Sequence, residues 1–243
     1  MKPSIIGLLF GAFALAGANL LNPLPPNADQ RAIDFQPYVD ADTDACDPTA
    51  AIDRDGYTLN EGLVPFKNGN CRKGRLARSQ TYVRTRCNHY WCAYLYGYYF
   101  EKDEGFLGGS HTHDWEHIIV WALHNEIFFV SWSAHGNYTT AHRSGVLFDG
   151  THPKFVSHRG WTTHSWRRAE KKDDPPENET KKWSQAPLIA LEKMPCEFNR
   201  RLLNHNWGRA HMDLKRDRFG DALNKAIPAD AKNNEKFDPY SDS

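Results

Sequence analysis

The sequence predicts a mainly β protein: a single-domain β-sandwich with peripheral α-helices. Short runs rich in aromatic and β-branched residues, each bounded by turn residues, fill the middle of the chain. Segments with helical spacing come only near the C-terminal end, and no internal repeat is visible. Many short strands followed by a few helices are typical of a sandwich with helices at its periphery.

The first residues predict a secretory signal peptide over 1–18. Lys2 precedes an apolar run from Ile5 to Ala18 whose small closing residues fit an A-x-A cleavage site. A membrane anchor needs ~20 apolar residues, more than this run supplies. We therefore expect a secreted, extracellular protein with a flexible leader at 19–35 and a folded domain at 36–243.

The folded domain begins with a loop-rich region, and the regular elements follow it. Strands are predicted at 80–86, 91–100, 115–122, 126–133, 145–148, 154–156, 161–167 and 187–191. Helices are predicted at 195–204 and 218–226. Residues 167–182 form a mixed-charge segment with a Pro-Pro pair, which indicates a solvated loop.

The charge balance excludes one class of partner. Of 243 residues, 30 are Lys or Arg and 30 are Asp or Glu, so the net charge is zero. Nucleic-acid binding usually requires a basic excess or a basic stripe. We expect no nucleic-acid partner and a monomer in solution.

In a secreted protein the five cysteines predict disulfides. Their spacing suggests Cys46 with Cys71 and Cys87 with Cys92, although four cysteines admit three pairings. Cys196 is then left over and is expected to be a buried free thiol.

Two Asn-x-Thr sequons are candidate glycosylation sites in an exported chain. They begin at Asn137 and Asn178.

Metal-ligand chemistry is concentrated between two strand-like runs. Three His, two Asp and two Glu lie between Asp103 and His117, beside a glycine pair. If the second strand starts near Asp114, its period of two places Asp114 and Glu116 on one face. A loop carrying Asp103 and His111 can fold back onto that face. One strand end and one loop could therefore supply Asp103, His111, Asp114 and Glu116 to a single ion.

Three carboxylates and one imidazole favour an oxygen-preferring divalent cation, Ca²⁺ or Mg²⁺ with Mn²⁺ possible, over structural zinc. The alternative is a polar strand start whose histidines are satisfied by hydrogen bonds. A second acidic run, Asp40-Ala-Asp42-Thr-Asp44, resembles the start of a Ca²⁺ loop. Ala45 stands where that loop needs Gly, so a solvated loop is favoured there.

Enzyme signatures are weak or absent in the sequence. His111–His117 resembles the His-x-His-x-Asp-His zinc motif of metallo-β-lactamase-like hydrolases, but Trp115 and Glu116 replace its Asp and second-half His. The chain has no His-Glu-x-x-His, nucleophile elbow or phosphate-binding glycine loop. We expect no enzyme, with a secreted metal-dependent hydrolase as the alternative.

The same segment resembles the signature of the necrosis- and ethylene-inducing-peptide-like proteins, the NLP family. The residues that carry the resemblance are AYLYGYYFEKD at Ala93–Asp103 and GSHTHDWEH at Gly109–His117. The family heptapeptide is Gly-His-Arg-His-Asp-Trp-Glu. Four paired cysteines are similar to the type II branch.

The resemblance implies a secreted toxin of plant-associated microbes. Such proteins use a divalent cation in an acidic pocket to bind glycosylinositol phosphorylceramide, a sphingolipid of plant plasma membranes, and they damage the membrane or elicit immunity. The family's cation ligands fall on Asp103, His111, Asp114 and Glu116. The pocket residues implied for the headgroup are His164, His113 and Trp161. Trp161 is also a candidate membrane contact, although core packing is favoured for it.

Two positions depart from the family heptapeptide. Ser110 replaces its Gly and Thr112 replaces its Arg, which removes a positive charge beside the pocket. Because no predicted ligand is lost, cation binding is expected. A non-cytotoxic member that acts as a binding protein or elicitor remains an alternative.

Overall fold

The computed structural model describes residues 20–67, 70–105, 109–160 and 163–242. Within them the α-helices are α1 Gln30–Asp34, α2 Cys196–Asn204, α3 Arg216–Ala226 and α4 Ala229–Asn233. The β-strands are β1 Tyr38–Ala41, β2 Thr81–Asn88, β3 Trp91–Asp103, β4 His111–Leu123, β5 Glu126–Ala134, β6 Asn137–His142, β7 Phe148–Asp149, β8 His152–Arg159, β9 His164–Arg168 and β10 Leu188–Ala190. The protein is mainly β, as predicted.

The strands form one hydrogen-bonded sheet that curls into two layers. One layer has the order β10-β2-β3-β4-β5-β6, and the other has the order β9-β8-β1 with β7 paired to β8. The layers join where Ala134 pairs with Ser165. Tyr98 of β3 packs on Trp166 of β9 with ring centroids 5.0 Å apart. A flat sheet would hold these strands ~14 Å apart. The sheet therefore folds over itself, and the predicted sandwich is confirmed.

Strand β4 contributes to two cores through its alternating side chains. Ile118 and Val120 lie in the interlayer core with Phe155 of β8. Ile119 and Trp121 face the helix-side core. The helices contribute to that second core Leu202, Leu203, Phe219, Ala222 and Leu223. Because β3 and β4 are covered on both faces, their sequences read as nearly continuous apolar runs.

The four strands predicted between residues 80 and 133 are present as β2–β5. Strand β3 extends to Asp103 and β4 starts at His111, beyond the predicted ends. The predicted strand at 145–148 is a 3₁₀ turn over Arg143–Gly145 followed by β7. Strands β1 and β6 were not predicted. β1 is short and pairs in parallel with the distant β8, while β6 is a polar strand paired on one side to β5.

The segment after the predicted signal peptide differs from the flexible leader expected over 19–35. Leu24 is buried in the helix-side core and Phe35 in the interlayer core. The Asn27 side-chain oxygen accepts a hydrogen bond of 2.7 Å from the Ala190 amide. Burial of apolar side chains and these hydrogen bonds hold the segment on the sandwich. Residues 1–18 lie outside the described residues, so the signal peptide stays a prediction.

The cysteine pairing suggested by spacing is confirmed. Cys46 is bonded to Cys71, and Cys87 is bonded to Cys92. The second pair faces across β2 and β3, where the two residues are in register. The expectation for Cys196 was wrong: its free thiol is exposed at the first residue of α2, a helix that buries Leu202 and Leu203.

The charged segment at 167–182 is mostly exposed, as predicted for a solvated loop, but Asn178 anchors it on β1. Its Asn178 is 0% exposed, and the side-chain nitrogen donates to Asp40 Oδ1 at 2.8 Å and to the Lys182 carbonyl at 2.8 Å. A glycan on this nitrogen is incompatible with the folded chain, which corrects the prediction that Asn178 is glycosylated. Asn137, at the start of β6, is exposed, and its glycosylation stays a prediction.

The acidic run at 40–44 serves the fold. The buried carboxylate of Asp40 also accepts the backbone amides of Glu177 and Asn178. Asp42 pairs with Arg167 at 3.0 Å. Asp44 accepts an amide from the β8 segment. These carboxylates point to different partners, which agrees with the preference against a Ca²⁺ loop here.

Candidate functional site

The candidate site lies where β3 ends and β4 begins, next to the first residue of β9. Asp103 ends β3, His111 starts β4, and the two residues face each other in register. Further along β4, Asp114 and Glu116 share the face of Ile118, as the period of two predicts. The four predicted ligands line one cavity of about 460 Å³.

The tightest group combines both layers. Ligand atoms of Asp103, Asp114 and His164 lie within 4.8 Å of one another, and all three residues are buried. His164 Nδ1 is 3.8 Å from Asp103 Oδ1. The same oxygen accepts the His164 backbone amide at 2.7 Å. His164 was predicted as a pocket histidine beside the cation, and its ring nitrogen lies among the potential ligand atoms.

The other two predicted ligands border this group. His111 Nε2 is 3.5 Å from Asp103 Oδ2. Glu116 accepts a hydrogen bond from the hydroxyl of Ser133 on the neighbouring β5, which orients its carboxylate. Sequence reasoning did not find this role of Ser133, because the register of β4 against β5 is not readable from residue types.

His113 determines which way His111 points. Its φ is +63°, a left-handed conformation that is uncommon for a residue other than glycine. Strict alternation would place His111 and His113 on the same face. The irregular backbone between them instead brings His111 against Asp103. The His111 Nδ1 donates to the His113 carbonyl at 2.7 Å, which leaves Nε2 as the nitrogen with a free lone pair in the neutral ring.

The side chain of His113 does not face the cavity, which corrects its predicted pocket role. Its Nδ1 is hydrogen-bonded to the hydroxyl of Tyr99 at 2.7 Å. Its ring centroid lies 5.2 Å from that of Trp207. Alternation along β4 accounts for this position, since His113 shares the helix-side face with Trp115. Trp161, also predicted for the pocket, lies outside the described residues.

Burial dominates the electrostatics of the carboxylates. It raises the pKa of Asp103 to about 7, against the opposing effect of the His164 amide. Burial raises the pKa of Asp114 well above its ordinary value, and the charges of Glu116 and Asp103 raise it further. The pKa of Glu116 is raised in the same way, first by burial. Burial lowers the pKa of His164 to about 4, so this ring is neutral at pH 7.

Two buried polar atoms of this group lack hydrogen-bond partners. They are Asp114 Oδ2 and His164 Nδ1. Among the described residues, none of the carboxylates of Asp103, Asp114 and Glu116 forms an ion pair with a lysine or arginine. Buried charges normally require such compensation. A divalent cation would supply it, and oxygen donors with one or two imidazoles suit Ca²⁺, Mg²⁺ or Mn²⁺. The residues present therefore fit a divalent cation.

The rim of the cavity brings in residues far away in the sequence. They include His135, Tyr138, Arg209, His211, Asp213 and Arg218. Arg209 is exposed, and its charge acts on both Asp103 and His111. Nothing in the local sequence around Arg209 signals this position, because only the packing of the segment before α3 beside β4 brings it there. The rim thus offers a cationic side chain beside an acidic floor.

Comparison with known proteins reveals related chains. NLP effector protein 10 of Phytophthora capsici is 39% identical over 125 residues, which are 48% of this chain and 52% of that relative. The match therefore spans about half the length of that relative. NLP effector protein 2 of the same organism is 30% identical over 215 residues, 85% of this chain and 82% of the relative.

Solved structures share the fold. The complex of NLPPya with glucosamine has a TM-score of 0.70 at 27% identity, covering 85% of this chain and 96% of that one. Its complex with mannosamine has a TM-score of 0.71 at 27% identity, with the same coverage. The non-toxic HaNLP3 protein has a TM-score of 0.69 at 23% identity, covering 86% and 97%.

The family described as Necrosis inducing protein (NPP1) matches residues 29–226 of this chain. The match includes the cavity, both disulfides and the segment Gly109–His117 on which the resemblance was based. The matched proteins are described as necrosis-inducing proteins and as a toxin fold and not as enzymes, and one of the solved structures is described as non-toxic. The chain belongs to the family of necrosis-inducing proteins.

Proposed function

We propose that this protein is a secreted, cation-dependent cytolysin or elicitor that binds sphingolipid headgroups of plant plasma membranes and damages the membrane. The headgroup proposed is that of glycosylinositol phosphorylceramide. The observation that carries the proposal is the buried acidic group, in which Asp114 Oδ2 and His164 Nδ1 lack partners. Such a group is costly to fold unless a ligand compensates it.

The chain's own residues prepare this site. Asp103, His111, Asp114 and Glu116 are the proposed cation ligands, and the Nδ1 of His164 lies beside them. A bound divalent cation would offer coordination positions to sugar hydroxyls. Ser133 holds the Glu116 carboxylate, and the His113 carbonyl selects the His111 tautomer with a free Nε2. Binding requires no covalent step.

Sugar recognition is supported by the relatives. NLPPya, at 27% identity, is known in complex with glucosamine and with mannosamine. The cavity of about 460 Å³ is within the size range of small-ligand sites. Hydroxyl groups of a headgroup sugar are oxygen ligands of the kind that Ca²⁺ and Mg²⁺ accept.

Leakage from vesicles tests the proposal. Dye-loaded vesicles with and without purified plant glycosylinositol phosphorylceramide are mixed with the protein in Ca²⁺ or Mg²⁺, and then in chelator. We expect leakage only with the sphingolipid and the cation together. Asp114→Asn should abolish leakage, while Asp47→Asn, which alters a buried carboxylate in another part of the fold, should retain it. Equal leakage in chelator would contradict the cation dependence.

A non-cytotoxic elicitor is the second candidate. Ser110 and Thr112 depart from the family heptapeptide, and the non-toxic HaNLP3 protein shares this fold. The fold is therefore compatible with both behaviours. Cation-dependent binding to the sphingolipid vesicles without dye release favours this candidate.

The proposed attack on a host membrane requires that the protein leaves the cell that makes it. No helix in the described part of the chain is long and apolar enough to cross a membrane. Relatives are named as effectors of Phytophthora capsici. We infer that residues 1–18 direct export and that the protein reaches the host membrane from outside.

A further inference from the structure

A short apolar loop protrudes beside the candidate site. In residues 64–67, here named the 64–67 loop, Phe66 is 70% exposed and Val64 is 43% exposed. Pro65 lies between them, and Lys67 is also exposed. A solvent-exposed phenylalanine gives up the free energy of its burial, about 1.5–3 kcal/mol for a large apolar side chain. This makes the loop a candidate interaction surface.

The loop is fastened to the end of the strand that carries Asp103. The Leu63 amide donates to the Glu101 carbonyl at 2.7 Å. The Phe66 amide donates to the Glu104 carboxylate at 2.9 Å, and Lys102 pairs with that same carboxylate at 2.7 Å. Glu104 directly follows Asp103 in the chain. The exposed aromatic ring is therefore carried by a loop tied to the cation site.

The backbone holds Phe66 in an unusual conformation. Its φ is +59°, in the left-handed region that glycine or asparagine normally occupies. A phenylalanine there is strained, and strain of this kind persists where the surrounding structure enforces it, often at functional positions. The Phe66 amide donates to the Glu104 carboxylate in this conformation. The loop thus presents an aromatic side chain to solvent at a conformational cost.

We infer that the 64–67 loop is a membrane-contact element, which rests on the proposed function. Phe66 and Val64 enter the interfacial region of the bilayer, and the Lys67 ammonium meets lipid phosphates. An apolar side chain beside an exposed cation matches the interface of an anionic membrane. Its attachment next to Asp103 lets the loop engage when the headgroup occupies the cavity.

The chain offers a matched control. Tyr90 is also 70% exposed and also has a positive φ, +67°. It lies in the hairpin before β3, at the opposite end of that strand from Asp103. The strand's 13 residues place the two ends roughly 40 Å apart. A bilayer contacted by the 64–67 loop cannot also be contacted by Tyr90 in the same orientation.

The experiment measures flotation of Phe66→Ser and Tyr90→Ser with vesicles containing glycosylinositol phosphorylceramide and Ca²⁺. We expect Phe66→Ser to partition into the vesicles about tenfold more weakly than wild type. Loss of one apolar side chain buried in the membrane lowers the partition constant by about this factor. Tyr90→Ser should partition as wild type does. The Ca²⁺-induced rise in melting temperature should be unchanged in both, which shows an intact cation site.

Three outcomes would overturn the inference. Wild-type binding by Phe66→Ser would mean that the loop has another partner, such as a host protein. Equal losses in both variants would mean a nonspecific effect. Phe66→Trp should bind at least as well as wild type, because tryptophan favours the interface, so binding as weak as that of Phe66→Ser contradicts the model of apolar insertion. Failure of the wild-type protein itself to bind refutes the proposed function, and is recognised from that sample alone.

Discussion

Replacing Asp114 by Asn should raise the melting temperature in chelator and reduce the further rise that a divalent cation produces. Burial and the neighbouring carboxylates raise the pKa of Asp114 well above its ordinary value of 3.8. A raised folded pKa destabilises the fold increasingly as pH rises above 3.8. The neutral amide removes this penalty. In chelator at pH 7.5, Asp114→Asn should therefore melt at a higher temperature than wild type.

The cation should stabilise wild type more than it stabilises Asp114→Asn. A ligand at 100 times its dissociation constant stabilises a fold by about 2.7 kcal/mol. For a chain of this size that corresponds to a rise in melting temperature of about 5–11 °C. If loss of one carboxylate ligand weakens binding about 100-fold, the same cation concentration contributes only about 0.4 kcal/mol, or about 1 °C.

Differential scanning fluorimetry in chelator and in graded Ca²⁺ or Mg²⁺ measures both effects. Asp47→Asn is the control: it also removes a buried carboxylate whose oxygens lack hydrogen bonds, here with Arg72 at 3.9 Å, but it lies outside the cavity. It should raise the melting temperature in chelator and keep the full cation response. An equal response of Asp114→Asn and wild type would refute Asp114 as a ligand. A lower melting temperature of Asp114→Asn in chelator would refute the electrostatic reasoning.

Three further predictions concern the framework of the fold. Burial raises the pKa of Asp47 from 3.8 to about 6, so its carboxyl destabilises the fold above pH 6 and not below pH 4. The free energy of unfolding of Asp47→Asn, measured in urea, should exceed that of wild type by up to about 3 kcal/mol at pH 7 and by nothing at pH 3.5. A gain that does not depend on pH would contradict this. Replacing Cys46 and Cys71 by serine should cost about 3 kcal/mol, because their bond closes a sequence separation of 25; an unchanged urea midpoint would speak against it. In a eukaryotic secretion host, Asn137→Gln should remove a glycan detectable by mass. Asn178→Gln should leave the glycan mass unchanged and lower the melting temperature, since the buried hydrogen bonds of the Asn178 side chain are lost. A glycan on Asn178 in folded protein would overturn that expectation.

Local pattern was sufficient for much of the site. The period of two placed Asp114 and Glu116 on one face, and the structure keeps them there with Ile118. Pattern also failed within the same strand. The positive φ of His113 interrupts the alternation, so His111 reaches Asp103, whereas His113 keeps the face of Trp115 and packs on Trp207. The residue type histidine does not predict that conformation. The hydrogen bond between Tyr99 and His113 and the surrounding rings help hold it.

Side chains that depend on distant contacts were the least predictable. Asn178 satisfies a sequon, yet its nitrogen is buried against Asp40, 138 residues away. Cys196 was expected to be buried but is exposed. The expectation failed because helical spacing alone does not tell which face of α2 packs on the sheet. Phe66 belongs to the same class, since burial is the usual state of phenylalanine and only the packed structure reveals its exposure.

The amino-acid sequence by itself determined the class of fold, the residue types of the acidic cluster and the face that Asp114 and Glu116 share. These features depend on neighbours along the chain, where strand periodicity and short separations act directly. Only the tertiary structure decided that His164 joins Asp103 across the two layers and that His111 turns to Asp103. The His164 amide bonds a carboxylate 61 residues away, and the curl of the sheet that makes this contact is set by long-range pairing of strands and packing of both cores.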